Sequence, residues 1–257
     1  MHFLALGELI ELLTLGAALG FFGGLFGIGG GIIAIPMLVL AFGMEQALAQ
    51  GTSLAMMVPI LAMGLWRYSR KRPIPWQSAI WIGLLASITT WVVAHFATQL
   101  QPDILRGVFG AFLLLLSAQM LLAKHRHESE PVHSRLDQRL LPLVGVAAGT
   151  SMGLLGVGGG LVATPLLMGL LGQRQALAQS LSMALVTPCA VVALGTYSYA
   201  DCVDWSMGLP LAIGGLLTVS AGVAAAHKLP ERQMRILFAV MLVCTAVWLL
   251  IKPYIVG

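Results

Sequence analysis

The sequence predicts an all-α polytopic membrane protein made of two inverted repeats, each a broken helical hairpin followed by three transmembrane helices. Three observations carry that prediction: an apolar composition, an internal duplication, and the distribution of basic residues. The chain is 58% hydrophobic and 9% charged, with a mean hydropathy of +0.92. A soluble domain carries about 25% charged residues, so this chain cannot cover a water-facing surface. The duplication is nearly literal. Gly24-Leu25-Phe26-Gly27-Ile28-Gly29-Gly30-Gly31 returns as Gly153-Leu154-Leu155-Gly156-Val157-Gly158-Gly159-Gly160, an offset of 129 residues. At the same offset Gln46 falls on Gln175, Gln50 on Gln179, Ser53 on Ser182, Pro59 on Pro188, Tyr68 on Tyr197, and Trp76 on Trp205. A duplicated apolar chain with a Gly-rich interruption in each copy is the pattern of repeat-built membrane transport folds.

The first repeat, residues 1–123, opens on Gly7 to Gly43, an apolar segment interrupted by its glycine cluster and Pro36. Three uninterrupted spans follow, at Ala49 to Trp66, Gln77 to Thr98 and Ile104 to Ala123. Each approaches the ~20 residues that a spanning helix needs. Residues 124–139 form a polar, cytoplasmic linker. The second repeat, residues 140–257, begins with Leu140 to Gly172. As one straight helix this segment would run ~50 Å against a hydrocarbon core of ~30 Å. Glycines and Pro165 at its middle favour two short helices instead, each expected to fall a little short of a comfortable span. Spans at Ala178 to Tyr197, Ser206 to His227 and Met234 to Leu250 complete the copy. The apolar N-terminal stretch has no basic n-region and runs straight into the repeat motif, so it is expected to belong to the folded protein rather than to a signal peptide.

Charge decides between one crossing and a hairpin for the broken segments. Arg67, Arg70, Lys71 and Arg72 fill one loop; Lys124, Arg126, Arg135 and Arg139 fill the linker; Lys228, Arg232 and Arg235 fill a third. If each broken segment folds back, these clusters and Arg174 share one side, leaving only Arg106 and Lys252 opposite. The positive-inside rule therefore favours hairpins. A hairpin plus three spans makes an odd number of crossings, so the halves insert upside down relative to each other. Both termini are then expected in the periplasm of a bacterial cytoplasmic (inner) membrane. The net charge of +4 is an orientation signal in loops, and no nucleic-acid partner is expected.

Two inverted hairpins should bring both glycine clusters near the bilayer midplane. Gly27, Gly29, Gly30 and Gly31, with Gly156, Gly158, Gly159 and Gly160, then permit backbone breaks and close approach to a ligand. Helices starting after the clusters would direct N–H groups and positive dipole ends at that point, which suits a small oxyanion. Gln50, Thr52 and Ser53 open the next span of the first half, and Gln179, Ser180 and Ser182 that of the second. They add short neutral donors. Close helix packing and helix capping are the purely structural readings of the same residues. No intramembrane Lys or Arg is placed to neutralise the ligand, and Glu8, Glu11, Glu45, Asp103, Asp201 and Asp204 all map to segment ends or loops. His95 and His227 lie near span ends and are the candidates for proton coupling.

On these motifs the chain resembles the sulfite exporter TauE/SafE family, also called the sulfonate uptake permeases. Gly27-Ile28-Gly29-Gly30-Gly31 and Gly156-Val157-Gly158-Gly159-Gly160 carry the likeness, each followed by a proline. Ala49-Gln50-Gly51-Thr52-Ser53 and Ala178-Gln179-Ser180-Leu181-Ser182 extend it. The resemblance implies inner-membrane transport of small sulfur-containing anions such as sulfite or organosulfonates. Leu181 stands where the first copy has Thr52, so an asymmetric site is expected.

Other signals carry less. Gly149-Thr150-Ser151-Met152-Gly153 matches a nucleophile-elbow pattern without the strand–turn–helix setting that the chemistry requires. The glycine clusters lack the Lys-Ser/Thr of a phosphate loop. His125, His127, Glu128, Glu130 and His133 crowd the linker at irregular spacing. Cys189, Cys202 and Cys244 have no metal or redox spacing. No catalytic, metal or cofactor set is therefore read, and no enzymatic activity is expected. The expected function is secondary transport of a small sulfur oxyanion, with the lipid bilayer as the other partner. A coupling proton or cation and a homodimer are compatible with the sequence. The alternatives are a channel-like anion facilitator, and a membrane scaffold or metal sensor using the His-rich linker.

Overall fold

The computed structural model describes residues 6–26, 29–71, 76–122, 141–157, 159–171, 175–226, 239–240 and 242–249. All regular structure among them is helical: α1 (Leu6–Phe26), α2 (Gly31–Ala41), α3 (Gln46–Lys71), α4 (Trp76–Ala97), α5 (Pro102–Leu122), α6 (Leu141–Leu155), α7 (Gly159–Leu171), α8 (Gln175–Tyr199) and α9 (Trp205–Ala226). Residues 242–249 are also helical and lie within the expected last span. Six of these helices, α1, α3, α4, α5, α8 and α9, are long and apolar enough to cross a membrane. Large apolar side chains such as Trp81 and Leu217, 73% and 77% exposed, cover their outward faces. Lipid solvates such side chains without cost, so the exposure follows from the environment.

Helix boundaries repeat at the offset seen in the residues. α1 ends at Phe26 and α6 at Leu155; α3 starts at Gln46 and α8 at Gln175; α4 and α9 span Trp76–Ala97 and Trp205–Ala226. The broken segments depart from the expectation of two short helices in one respect. α1 has 21 residues, about 31 Å of helix, and α2 only 11. The helix runs on through Gly16, Gly20 and Gly23 because bare backbone lets these turns seat on neighbouring main chain. It stops only at the first glycine cluster.

The halves pack crosswise. Gly16 comes against the backbone of Leu211 and Gly20 against Gly215, so α1 and α9 lie parallel with almost no side chain between them. Gly145 meets Ile82 and Gly149 meets Ala86 in the same manner, joining α6 to α4. Exchange of the two halves converts each contact into the other: Gly16 with Leu211 becomes Gly145 with Ile82, and Gly20 with Gly215 becomes Gly149 with Ala86. Membrane helices gain little from the hydrophobic effect against each other, so close packing of small residues supplies the attraction. α3 and α8 cross the interior antiparallel, since Gln50 meets Tyr197 near one end and Gly64 meets Met183 near the other. The buried core centres on these two helices, with Leu54, Met56, Leu185, Ala190 and Ala193 among its members.

Candidate functional site

Both breaks are built from glycine conformations that other residues adopt at a cost. After α1, Gly29 and Gly30 take φ values of 74° and 82°. Gly30 caps α2, its carbonyl accepting from the N–H groups of Ile33 and Ala34 at 3.1 and 3.0 Å. After α6, Gly156 takes φ 66°, and its N–H donates to the carbonyl of Met152 at 3.0 Å. These left-handed values cost an L-residue roughly 1–2 kcal/mol and glycine nothing.

The chain folds back at each break. A Cβ on Gly30 would lie 2.9 Å from the carbonyl oxygen of Leu19, and one on Gly159 3.5 Å from that of Ala148. These are equivalent positions in the two halves. Beyond the first break, α1 and α2 diverge around a cavity of about 400 Å³ lined by Glu11, Thr14, Leu15, Met37, Ala41 and Phe42.

The two breaks also meet each other. Gly31, the first residue of α2, leaves no room for a Cβ between Met57 and the side chain of Val157. Gly29 faces Met57 and Leu61, and Gly160 faces the Ser182 hydroxyl at 3.5 Å. Gly156 packs on Gln50, where a Cβ would stand 3.1 Å from the Gln50 Cβ. The end of α6 thus packs on α3 at Gln50, and the start of α2 packs against Val157 and against α3 two to three turns farther on, at Met57 and Leu61. The leading N–H groups of a helix have no partner within it, so the start of α2 offers donors at this junction.

The polar residues of α3 divide into engaged and unengaged groups. Thr52 Oγ1 accepts from the backbone N–H of Asp204 at 3.0 Å, tying α3 to the α8–α9 connection. Ser53 donates to the carbonyl of Gln50 at 2.8 Å, and Ser182 to that of Gly160 at 3.5 Å. Gln50 is fully buried, and its Oε1 accepts from the Tyr197 hydroxyl at 2.8 Å. The same hydroxyl stands 3.2 Å from the carbonyl oxygen of Gly153. Nε2 of Gln50 has no hydrogen-bond partner, nor has either polar atom of the fully buried Gln46. A buried amide without partners costs ~1–3 kcal/mol, and three such atoms lie on one helix face. Every buried polar residue among those described is neutral. Any anion held there rests on dipoles and N–H groups rather than on a counter-charge.

Gly27 and Gly158 lie outside the described residues. Gln179 and Ser180 lie in α8, with nothing described of their side chains. The His-rich linker, His227, Arg174 and the 228–235 basic cluster also fall outside the described residues. Gln46, Tyr197 and Gly153 were missed as site residues, although all three are invariant between the halves; that invariance was the available signal. Ser151, the serine of the elbow-like pattern, donates to the carbonyl of Val157 at 3.3 Å and so braces the second break. His95 is exposed at the end of α4, 3.2 Å from Gln99. In the α8–α9 connection, burial, then the nearby carboxylates of Asp201 and Glu45, push the Cys202 thiol above its ordinary pKa. It is therefore a poor nucleophile at neutral pH. Among the described residues no group of three or more His, Cys, Asp or Glu could hold a metal ion.

Comparison with known proteins bears on the family. The model of the family described as Sulfite exporter TauE/SafE matches residues 12–249. A Methanocaldococcus jannaschii protein named "Probable membrane transporter protein" is 26% identical, the match covering 90% of this chain and 91% of that protein. A Haemophilus influenzae protein of the same name is 25% identical over 93% of this chain and 97% of its own length. An Arabidopsis thaliana protein named "Sulfite exporter TauE/SafE family protein 3" is 31% identical over 42% of this chain and 22% of its own. No solved structure is a significant match.

Proposed function

The chain belongs to the sulfite exporter TauE/SafE family, and on that premise we propose that it is a secondary transporter of small sulfur-containing anions, sulfite or an organosulfonate, across the cytoplasmic membrane. The observation that carries this reading is the meeting of both glycine breaks against α3, with the buried, unpartnered amide nitrogen of Gln50 beside the second break. Neutral donors and helix dipoles hold an oxyanion weakly enough for it to leave again, which a carrier requires.

In this reading residues 1–123 and 140–257 are inverted repeats joined by the cytoplasmic linker 124–139, with both termini in the periplasm. The antiparallel α3–α8 pair and the exchange of α1–α9 contacts for α6–α4 contacts support a two-fold relation between the halves. The basic loops support the orientation. The anion sits at the junction of Gly29, Gly30, Gly31, Gly156, Gly159 and Gly160, and Gly27 and Gly158 belong to the same two sequence clusters. Gln50 and Gln179 supply amides, and Thr52, Ser53, Ser180 and Ser182 line the adjoining turns. Access alternates as the crosswise pairs α1–α9 and α6–α4 move about α3 and α8. A proton or cation couples the cycle.

The test is uptake of radiolabelled sulfite into proteoliposomes, with an organosulfonate, thiosulfate and sulfate as competitors, with and without a pH gradient. Saturable flux with counterflow, inhibited by the organosulfonate, is expected. No flux of any sulfur anion through folded protein would overturn the substrate assignment, and flux that persists near freezing would favour a channel-like pathway.

A further inference from the structure

The geometry points to a two-amide subsite, Gln46 with Gln50, that contacts the transported anion directly and admits only a singly charged oxyanion. It rests on the carrier reading above and extends it to the charge of the substrate. The two residues stand four apart on α3, on one face of the helix and one turn apart. Both are fully buried. The Tyr197 hydroxyl, 2.8 Å from Gln50 Oε1, holds that oxygen toward α8 and turns Nε2 away from it. Gly156, packed on the Gln50 main chain, leaves no side chain of its own in the way.

The donor count defines the ligand. Gln50 offers two N–H bonds. Gln46 offers two more and a free carbonyl oxygen. Four donors and one acceptor on two neutral groups match a compact oxyanion with several acceptor oxygens and at most one O–H. Hydrogen sulfite and a sulfonate headgroup both satisfy this. The charging energy of an ion grows with the square of its charge; the fully buried polar side chains described are all neutral, and the partly buried Arg106 is already paired with Asp103 at 3.6 Å. A dianion such as sulfate is therefore excluded by desolvation although its oxygens would fit. Tyr197 is a positioning residue: it reaches the anion only through Gln50.

Gln46→Met separates this role from a structural one. It keeps the length of the side chain and removes two polar atoms that have no partner. A residue that waits for a ligand can be so replaced without loss of folding, and the ligand-free variant gains stability. The experiment measures thermal unfolding of wild type and Gln46→Met in detergent, with sulfite, methanesulfonate and sulfate as probes, and sulfite transport kinetics in proteoliposomes. The expected result is a ligand-free variant at least as stable as wild type, the loss of stabilisation by sulfite and methanesulfonate, and a KM raised roughly tenfold or more. Sulfate neither stabilises nor competes in wild type. A wild-type KM in Gln46→Met, a large drop in its ligand-free stability, or competition by sulfate as strong as by methanesulfonate would each overturn the subsite. Absence of sulfite flux in wild type that is still stabilised by monovalent anions, but not after Gln46→Met, would instead overturn the transport reading and leave the subsite standing.

Discussion

The hydroxyl of Tyr197, near the end of α8, donates to the side-chain oxygen of Gln50, near the start of α3, at 2.8 Å. The bond joins the two halves at the point where the second glycine break packs on α3. Tyr197→Phe retains the ring and its packing but frees the Gln50 amide to rotate. The KM for sulfite should rise about three- to tenfold, the range of one neutral hydrogen bond, with Vmax nearly unchanged. Proteoliposome kinetics with the unfolding temperature as control would read this, and an unchanged KM would remove Tyr197 from the site.

Gly156 and Gly195 should respond oppositely to alanine. Gly156 has φ 66° and faces Gln50 at 3.1 Å, so Gly156→Ala should cost about 1–2 kcal/mol and impair transport. Gly195 lies inside α8 with open space where a Cβ would go, so Gly195→Ala should stabilise by about 0.5–1 kcal/mol. Thermal unfolding of both variants checks the pair; equal effects would show that the break is not under backbone constraint.

Bulky residues at the two equivalent fold-back points should stop transport without preventing insertion. In Gly30→Leu the side chain meets the Leu19 carbonyl from a left-handed backbone, and in Gly159→Leu it meets Val186. The double variant should insert into membranes and show no saturable sulfite flux. Wild-type flux in a folded double variant would sink the proposed site.

Crosswise packing makes a prediction independent of transport. Gly20 and Gly149 seat on the backbones of Gly215 and Ala86. Valine at either should force a helix pair apart and cost about 1–3 kcal/mol. The two losses should be similar, because the sites correspond under exchange of the halves. Strongly unequal losses would argue against that exchange.

Orientation can be read from Cys202 once Cys189 and Cys244 are replaced by alanine. The proposed topology puts the α8–α9 connection in the periplasm and the basic end of α3, residues 67–71, in the cytoplasm; the expected 67–72 loop is thus helical as far as Lys71. A membrane-impermeant maleimide added outside should label Cys202, and a cysteine at Ser69 only after the membrane is opened. The Cys202 pKa is raised, so its thiolate fraction at neutral pH lies below that of an ordinary thiol. Labelling should therefore keep accelerating as the pH rises above the usual thiol range. Labelling of Ser69→Cys from outside would reverse the orientation.

By itself the sequence determined the all-helical membrane class, the duplication and the position of each break. These depend on local physics: apolar runs long enough to span, and glycine clusters where a helix cannot economically continue. Helix starts at Gln46 and Gln175 and ends at Phe26 and Leu155 follow from residues that can be read in pairs along the chain. The length of α1 was less legible, because Gly16 and Gly20 look like helix breakers until α9 is packed against them. Which polar residues face the junction was decided by tertiary structure alone. Thr52 and Gln50 are two positions apart and equally polar on paper. Asp204, 152 positions away, engages Thr52, whereas Tyr197 engages one end of Gln50 and leaves the other without a partner. An unpaired buried group is a property of its surroundings, and those surroundings come from the opposite half of the chain.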